Sequence, residues 1–234
     1  MIVFAAIAPH GDLDDIPDLR GAMEELGRRF DAAAPDVAIV VTPHNVHVEG
    51  HFAVVTAARV GEWETDRETA AALLESELPI LGVSYGGNVQ AQSEMPLDWG
   101  TGVPLDFMRA KRVVVVSPAR DRPLEEHIRL GEAIARLPGR VALIASADHG
   151  HTHAADGPYG FHPAGASYDD LLLEILASER LDFLPLAEFV DDGKADSLWQ
   201  LLVLQGAIGQ GAVVDLLAYA RRSYFGMLVA EVSA

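Results

Sequence analysis

The chain has no cysteine. That absence rules out disulfides, iron–sulfur clusters, thiolate zinc sites and a cysteine nucleophile, so any metal must be held by nitrogen and oxygen. Basic residues are also scarce: 17 Lys and Arg stand against 35 Asp and Glu, a formal net charge of −18. Nucleic acid and anionic membrane surfaces are recognised through basic patches, so neither is expected as a partner. Long apolar runs are missing too. The apolar start, Met1 to Ala8, is too short to span a bilayer and has no basic residue ahead of it. It therefore reads as a first strand rather than a signal peptide or anchor, and a cytoplasmic location is expected. The 234 residues show no linker, internal repeat or low-complexity stretch, and half are hydrophobic. One globular domain over residues 1–234 follows.

Strands alternate with amphipathic helices. After the first strand comes a helix over Asp18–Ala33, with Leu19, Met23, Leu26 and Phe30 at helical spacing and Pro35 as its stop. Asp36–Thr42 reads as a second buried strand, Phe52–Ala58 as a third, and Thr65–Leu78 as a helix. A short strand over Ile80–Val83 precedes a long irregular segment, Ser84–Pro104, with Gly86-Gly87 and no phosphate-loop signature. Val113–Ser117 and Val141–Ala145 read as strands and Leu124–Leu137 as a helix, with His127 on its solvated side. Helices over Ala166–Ser178 and Ala195–Gly209, then β segments over Val213–Tyr219 and Tyr224–Val232, close the chain. The pattern is that of an α/β domain: a mostly parallel central sheet flanked by helices, with antiparallel C-terminal strands.

Four of the nine histidines, His149, His151, His153 and His162, crowd the loop that leaves the strand ending at Ala145. Ligands and catalytic groups gather at the carboxyl ends of strands in open α/β sheets, which makes this loop the expected seat of chemistry. His10 and His44 share the setting, each following a buried strand and a proline as Ala-Pro-His10 and Thr-Pro-His44. Parallel neighbouring strands would bring both rings to one edge. Glu231 is the carboxylate in the apolar run Phe225–Val232. A buried carboxylate there needs a partner or a metal, although a residue this near the end also fits solvent exposure. Two histidines and a carboxylate form the facial set of non-haem Fe(II) oxygenases. With a bound water they equally form a catalytic zinc set, and His149-x-His151-x-His153 offers a metal site of its own.

The chain resembles the catalytic subunits of class III extradiol ring-cleavage dioxygenases, the LigB-type superfamily that also includes Memo-type proteins. The resemblance rests on Ala-Pro-His10, Thr-Pro-His44-Asn, Ser146-Ala-Asp-His-Gly-His151 and the Phe225-Gly-Met-Leu-Val-Ala230 ending. It implies Fe(II) held by His10, His44 and Glu231, with His151 as the acid/base. O2 and a catechol- or 2-aminophenol-type aromatic would be the substrates. A homo-oligomer is expected, alone or with a small partner subunit. Asn45, Asp98, Trp99, His149, His153 and His162 are then candidates for orienting ligands or substrate. The chain departs from the family at Trp99, where relatives carry histidine, and around His151, where Ala147 and His149 replace Gly and Leu. Two alternatives remain at this point: a Memo-like metal-binding protein without dioxygenase activity, and a zinc-dependent hydrolase.

Overall fold

The computed structural model describes residues 1–85 and 93–233. Gly86-Gly87 lies outside them. In chain order the elements are β1 (Ile2–Ala8), α1 (Pro17–Ala33), β2 (Val37–Val41), β3 (Phe52–Val55), β4 (Arg59–Val60), β5 (Trp63–Thr65), α2 (Arg67–Leu74) and β6 (Ile80–Val83). They continue with β7 (Glu94–Met95), α3 (Trp99–Leu105), β8 (Arg112–Ser117), α4 (Leu124–Ala135), β9 (Val141–Ser146), α5 (Pro163–Leu176), α6 (Val190–Gly193), α7 (Leu198–Ile208), β10 (Val213–Arg222) and β11 (Phe225–Ser233).

The central strands lie in the order β1-β9-β2-β8 and are mutually parallel. They read as near-continuous Val, Ile and Ala because both faces of the sheet are covered, which removes the polar alternation of a half-exposed strand. One face packs against α1 through Phe4, Ile144 and Val229 with Leu19, Met23 and Phe30. The other buries Ile7, Ile39 and Leu143 with Leu130 of α4, Tyr168 of α5 and Leu201 of α7. Beyond β1 the sheet turns antiparallel through β11 and β10. Among the described residues no helix is long and apolar enough to cross a membrane.

Several boundaries differ from the sequence reading for local physical reasons. The expected helix from Thr65 begins instead after Asp66, whose side chain accepts from the Thr69 N–H at 2.9 Å as an N-cap, leaving Trp63–Thr65 to pair as β5. The segment read as irregular carries β7 and α3, the latter capped by Asp98. On the far face α4 and α7 approach so closely that a Cβ on Gly131 would sit 2.0 Å from the Val203 carbonyl oxygen.

His127 corrects the expectation of a solvated side chain. It is fully buried on α4, edge-on to Phe52 with ring centroids 4.9 Å apart, and its Nε2 has no hydrogen-bond partner among the described residues. Burial pushes its pKa down to about 4. The unfolded chain therefore binds this proton near pH 6.5 and the folded one does not, so stability falls as pH drops from 6.5 toward 4. A window of that width corresponds to about 3 kcal/mol. His127→Leu should remove this share of the slope. Denaturant midpoints of the two proteins, measured from pH 7 to pH 4, should diverge steadily; parallel curves would show that His127 does not contribute.

Candidate metal centre and active-site cleft

The strand order decides what meets at the edge. β1 and β2 are not neighbours, as the sequence reading supposed; β9 runs between them. The loops after β1, β9, β2 and β8 still leave the same carboxyl edge in succession, carrying His10, Asp148 to His151, His44 and Arg120. Together with residues 190–199 and the β10–β11 turn they line a cleft of about 760 Å³.

His10 and His44 point their Nε2 atoms at one spot, 3.0 Å apart. The His10 tautomer is set by its other nitrogen. Ser146 donates its hydroxyl proton to the Gly100 carbonyl at 2.5 Å, so its oxygen must accept from His10 Nδ1–H at 3.0 Å. That leaves the Nε2 lone pair free to bind a cation. The third group at this spot is Asp196, whose Oδ2 lies 3.4 Å from His10 Nε2 and 3.5 Å from His44 Nε2. Its Oδ1 is buried and has no hydrogen-bond partner among the described residues. Among the described residues, His10, His44 and Asp196 form a set whose ligand atoms all lie within 4.8 Å of one another, as a bound metal ion requires.

Electrostatics at this spot favour a cation. Burial lowers the His10 pKa, but Asp148 and Asp196 outweigh it and push it up to about 9. Burial also works against charge on Asp196, yet the two imidazoles hold it well below the ordinary carboxylate range. Burial raises the Asp148 carboxyl to about 6, an effect that His10 offsets in part. The two ring nitrogens, 3.0 Å apart beside Asp148 and Asp196, thus favour a cation between them, a proton or a metal ion.

A network rooted on Asp98 holds the His44 side. Its carboxylate accepts from Thr42 Oγ1 at 2.7 Å and Asn45 Nδ2 at 2.8 Å, and from both the N–H and the hydroxyl of Thr101. Trp99, the first residue of α3, lies over His44 with ring centroids 4.3 Å apart and remains 59% exposed. It therefore forms part of the cleft wall.

A family model described as the catalytic LigB subunit of aromatic ring-opening dioxygenase matches residues 7–227. The chain belongs to the LigB family. A relative, Protein CA_C1420 of Clostridium acetobutylicum, is 25% identical over 196 residues, covering 74% of this chain and 42% of that protein. The chain thus spans less than half the length of that relative. The crystal structure of the uncharacterized protein JW3007 from Escherichia coli K12 superposes with a TM-score of 0.71 at 16% identity, covering 97% of this chain and 98% of the other. At that identity the likeness is one of fold.

Within this LigB chain the histidine-rich loop is divided. His151 alone of its four histidines lines the cleft, with its ring stacked on Phe225 at 5.2 Å and 12°. Its Nδ1–H donates to the His149 carbonyl at 2.6 Å, which fixes the ring by that nitrogen and leaves Nε2 uncommitted. His149 is buried beneath the loop with Nδ1 3.0 Å from Ser197 Oγ, and burial pushes its pKa down to about 4. His153 is tied to the buried Asp169 at 2.9 Å. His162 caps α5, its Nδ1 accepting from the Ala164 N–H at 3.3 Å.

Glu231 is not brought to the histidines. It pairs with Ala6, four residues before His10 on β1, so a strand rise of about 3.3 Å per residue leaves it more than about 10 Å short of the edge. Its side chain lies on the α1 face, 2.8 Å from Arg29. Because β11 runs antiparallel to β1, it is the start of that strand, near Phe225 and Met227, that reaches the cleft. Asp196 was missed because it falls in the first turn of the helix expected over Ala195–Gly209, where an acidic residue suits the helix dipole without any further role. No signal in the sequence sets it apart from the other acidic residues near helix starts.

Proposed function

We propose that the protein is an Fe(II)-dependent extradiol dioxygenase that opens the ring of a catechol- or 2-aminophenol-type aromatic. The observation that supports this most strongly is the convergence of His10 Nε2, His44 Nε2 and Asp196 Oδ2, a two-histidine, one-carboxylate set that leaves coordination positions open. Fe(II) held there would supply the redox chemistry that lets an electron-rich ring react with O2. The chain's own groups do the rest. Ser146 fixes the His10 tautomer, and the Asp98 network holds the segment carrying His44. His151 stands free at Nε2 to take a proton from a substrate hydroxyl and return it later, a role suited to an imidazole near neutral pH. Trp99, Phe225 and Tyr224 give the cleft the flat apolar walls an aromatic ring requires.

Anaerobically reconstituted iron protein should therefore consume O2 only with aromatics bearing adjacent hydroxyl, or hydroxyl and amino, groups. An oxygen electrode, run beside absorbance of the ring-opened semialdehyde, measures this directly. Ester or amide hydrolysis by the zinc-loaded protein with no O2 uptake would replace this reading with a hydrolase. Metal binding with neither activity would favour a Memo-like binding protein.

A further inference from the structure

Asp169 is a buried carboxylate that the chemistry above does not use. It lies on α5 with no exposed surface, and a charge taken out of water is costly unless partners offset it. Its Oδ1 accepts from the Gly150 N–H at 2.8 Å. Its Oδ2 accepts from His153 Nε2 at 2.9 Å and from the Tyr219 hydroxyl at 2.7 Å. Burial works to raise its pKa, yet His153 and these other donors outweigh it and hold the carboxyl below its ordinary range. Arg221 sets the direction of the last bond. It donates to the Tyr219 oxygen and pairs with Asp170, so the Tyr219 proton goes to Asp169.

These partners belong to both walls around His151. Gly150 and His153 flank it in the loop after β9, and Tyr219 is on β10, whose turn into β11 carries Phe225, the ring stacked on His151. Gly226, next to Phe225, brings the walls together. A Cβ there would stand 2.0 Å from Asp169 Oδ2, so glycine lets the carboxylate lie against the β11 backbone. The Gly226 carbonyl accepts from the His149 N–H at 2.9 Å, and its N–H donates to the Gly150 carbonyl at 3.1 Å. A buried charge with its partners seldom adds net stability over apolar packing of the same volume. What it imposes is geometry, because each donor must stay within reach of one particular oxygen.

We propose that Asp169 is a positioning residue for the acid/base, fixing His151 against Phe225 by holding the loop at Gly150 and His153 and the hairpin at Tyr219. This rests on the role given to His151 above. The His151 ring bonds to the His149 carbonyl of its own loop, so the place of the loop decides the place of Nε2. Proton transfer needs donor and acceptor within about 2.6–3.2 Å, and a small displacement of the loop is enough to lose it.

The test compares wild type with Asp169→Asn, which keeps the size of the side chain and replaces one accepting oxygen by a donor. Two readings are taken. The first is the histidine ring C–H resonances of the Zn(II)-loaded protein by NMR, where the Phe225 ring current marks His151. His127, edge-on to Phe52 on α4, serves as the reference for an intact fold. The second is O2 uptake by iron protein with whichever catechol- or aminophenol-type aromatic wild type turns over fastest, at matched iron content. In Asp169→Asn the His151 resonances should move toward those of an exposed histidine while His127 stays in place. The kcat should fall about 10- to 10²-fold with KM little changed. Tyr219→Phe, which keeps the carboxylate and removes one donor, should show both effects to a smaller degree. Unmoved His151 resonances in Asp169→Asn overturn the proposal, even with a lost rate, because the effect then does not pass through His151. Displaced resonances with an unchanged kcat overturn it too. If Asp169→Asn also moves His127, the fold is disturbed and Tyr219→Phe decides by the same two readings. A wild type that turns over no aromatic ends the dioxygenase reading, and the resonances alone then show whether Asp169 holds His151.

Discussion

Asp196→Ala is expected to abolish metal binding in a protein that remains folded, while Glu231→Ala keeps its metal. The difference follows from what each carboxylate faces. Asp196 is buried with one oxygen directed at two imidazoles and the other without a hydrogen-bond partner among the described residues. Removing it leaves two neutral nitrogens to hold a divalent ion. The expected loss exceeds the roughly 10–100-fold typical when a residue behind a ligand is changed. Ser146→Ala should fall within that lower range, because it releases the His10 tautomer without removing a donor. Glu231 instead faces Arg29, which also reaches Glu25 and Asp215, so its loss leaves that cation with two partners. These groups are partly exposed, and the expected cost is a fraction of about 1 kcal/mol. Metal content after dialysis, measured beside circular dichroism and a thermal melt, decides between the two carboxylates. An iron-free Glu231→Ala protein with an iron-loaded Asp196→Ala protein would reverse the assignment.

The contrast between these residues shows where a sequence stops speaking. The apolar runs of β1, β2, β8 and β9 are legible because strands buried on both faces lose polar alternation. His10 and His44 are legible for a related reason, since a Pro-His pair directly after such a run must emerge at the carboxyl edge. Sheet order is not written there. Nothing in Val141–Ser146 says that it inserts between β1 and β2, because every central strand is equally apolar. Glu231 misleads because the direction of a terminal strand depends on its partner; paired antiparallel with β1, it carries its late residues away from the cleft. Asp196 reaches the site through the path of residues 190–197, which depends on how α6 packs against α5 and α7 docks on the sheet. His127 looked solvated because Glu125 and Glu126 precede it, although one helical turn buries some of a charged run. Within the loop, four histidines look alike in sequence, and the fold gives them four different surroundings: a cleft, a buried hydroxyl, a buried carboxylate and a helix cap.

His151→Ala or His151→Phe is expected to keep its metal and its affinity for an aromatic ligand, yet to lose turnover by about 10²–10⁴-fold, the usual contribution of a general acid/base. Its Nδ1–H is committed to the His149 carbonyl, so Nε2 is the one atom of this ring able to exchange a proton with substrate. Neither His149 nor His153 can stand in. His149 is buried and its Nδ1 faces Ser197, and His153 is held by Asp169, outside the cleft lining. His153→Ala should act indirectly. Asp169 still accepts from the Gly150 N–H at 2.8 Å and stays held by the Tyr219 hydroxyl at 2.7 Å, so the loop keeps its tie to Asp169 and the rate should fall less than for His151. The stack on Phe225 separates geometry from proton transfer: a phenyl ring at position 151 preserves the contact and removes the nitrogen. If His151→Phe and His151→Ala lose similar activity at matched iron content, proton transfer is the missing function. Should the phenyl variant instead recover most of the rate, position 151 serves to shape the cleft, and the acid/base must be sought among the other groups lining it, such as Asp148 beside His10.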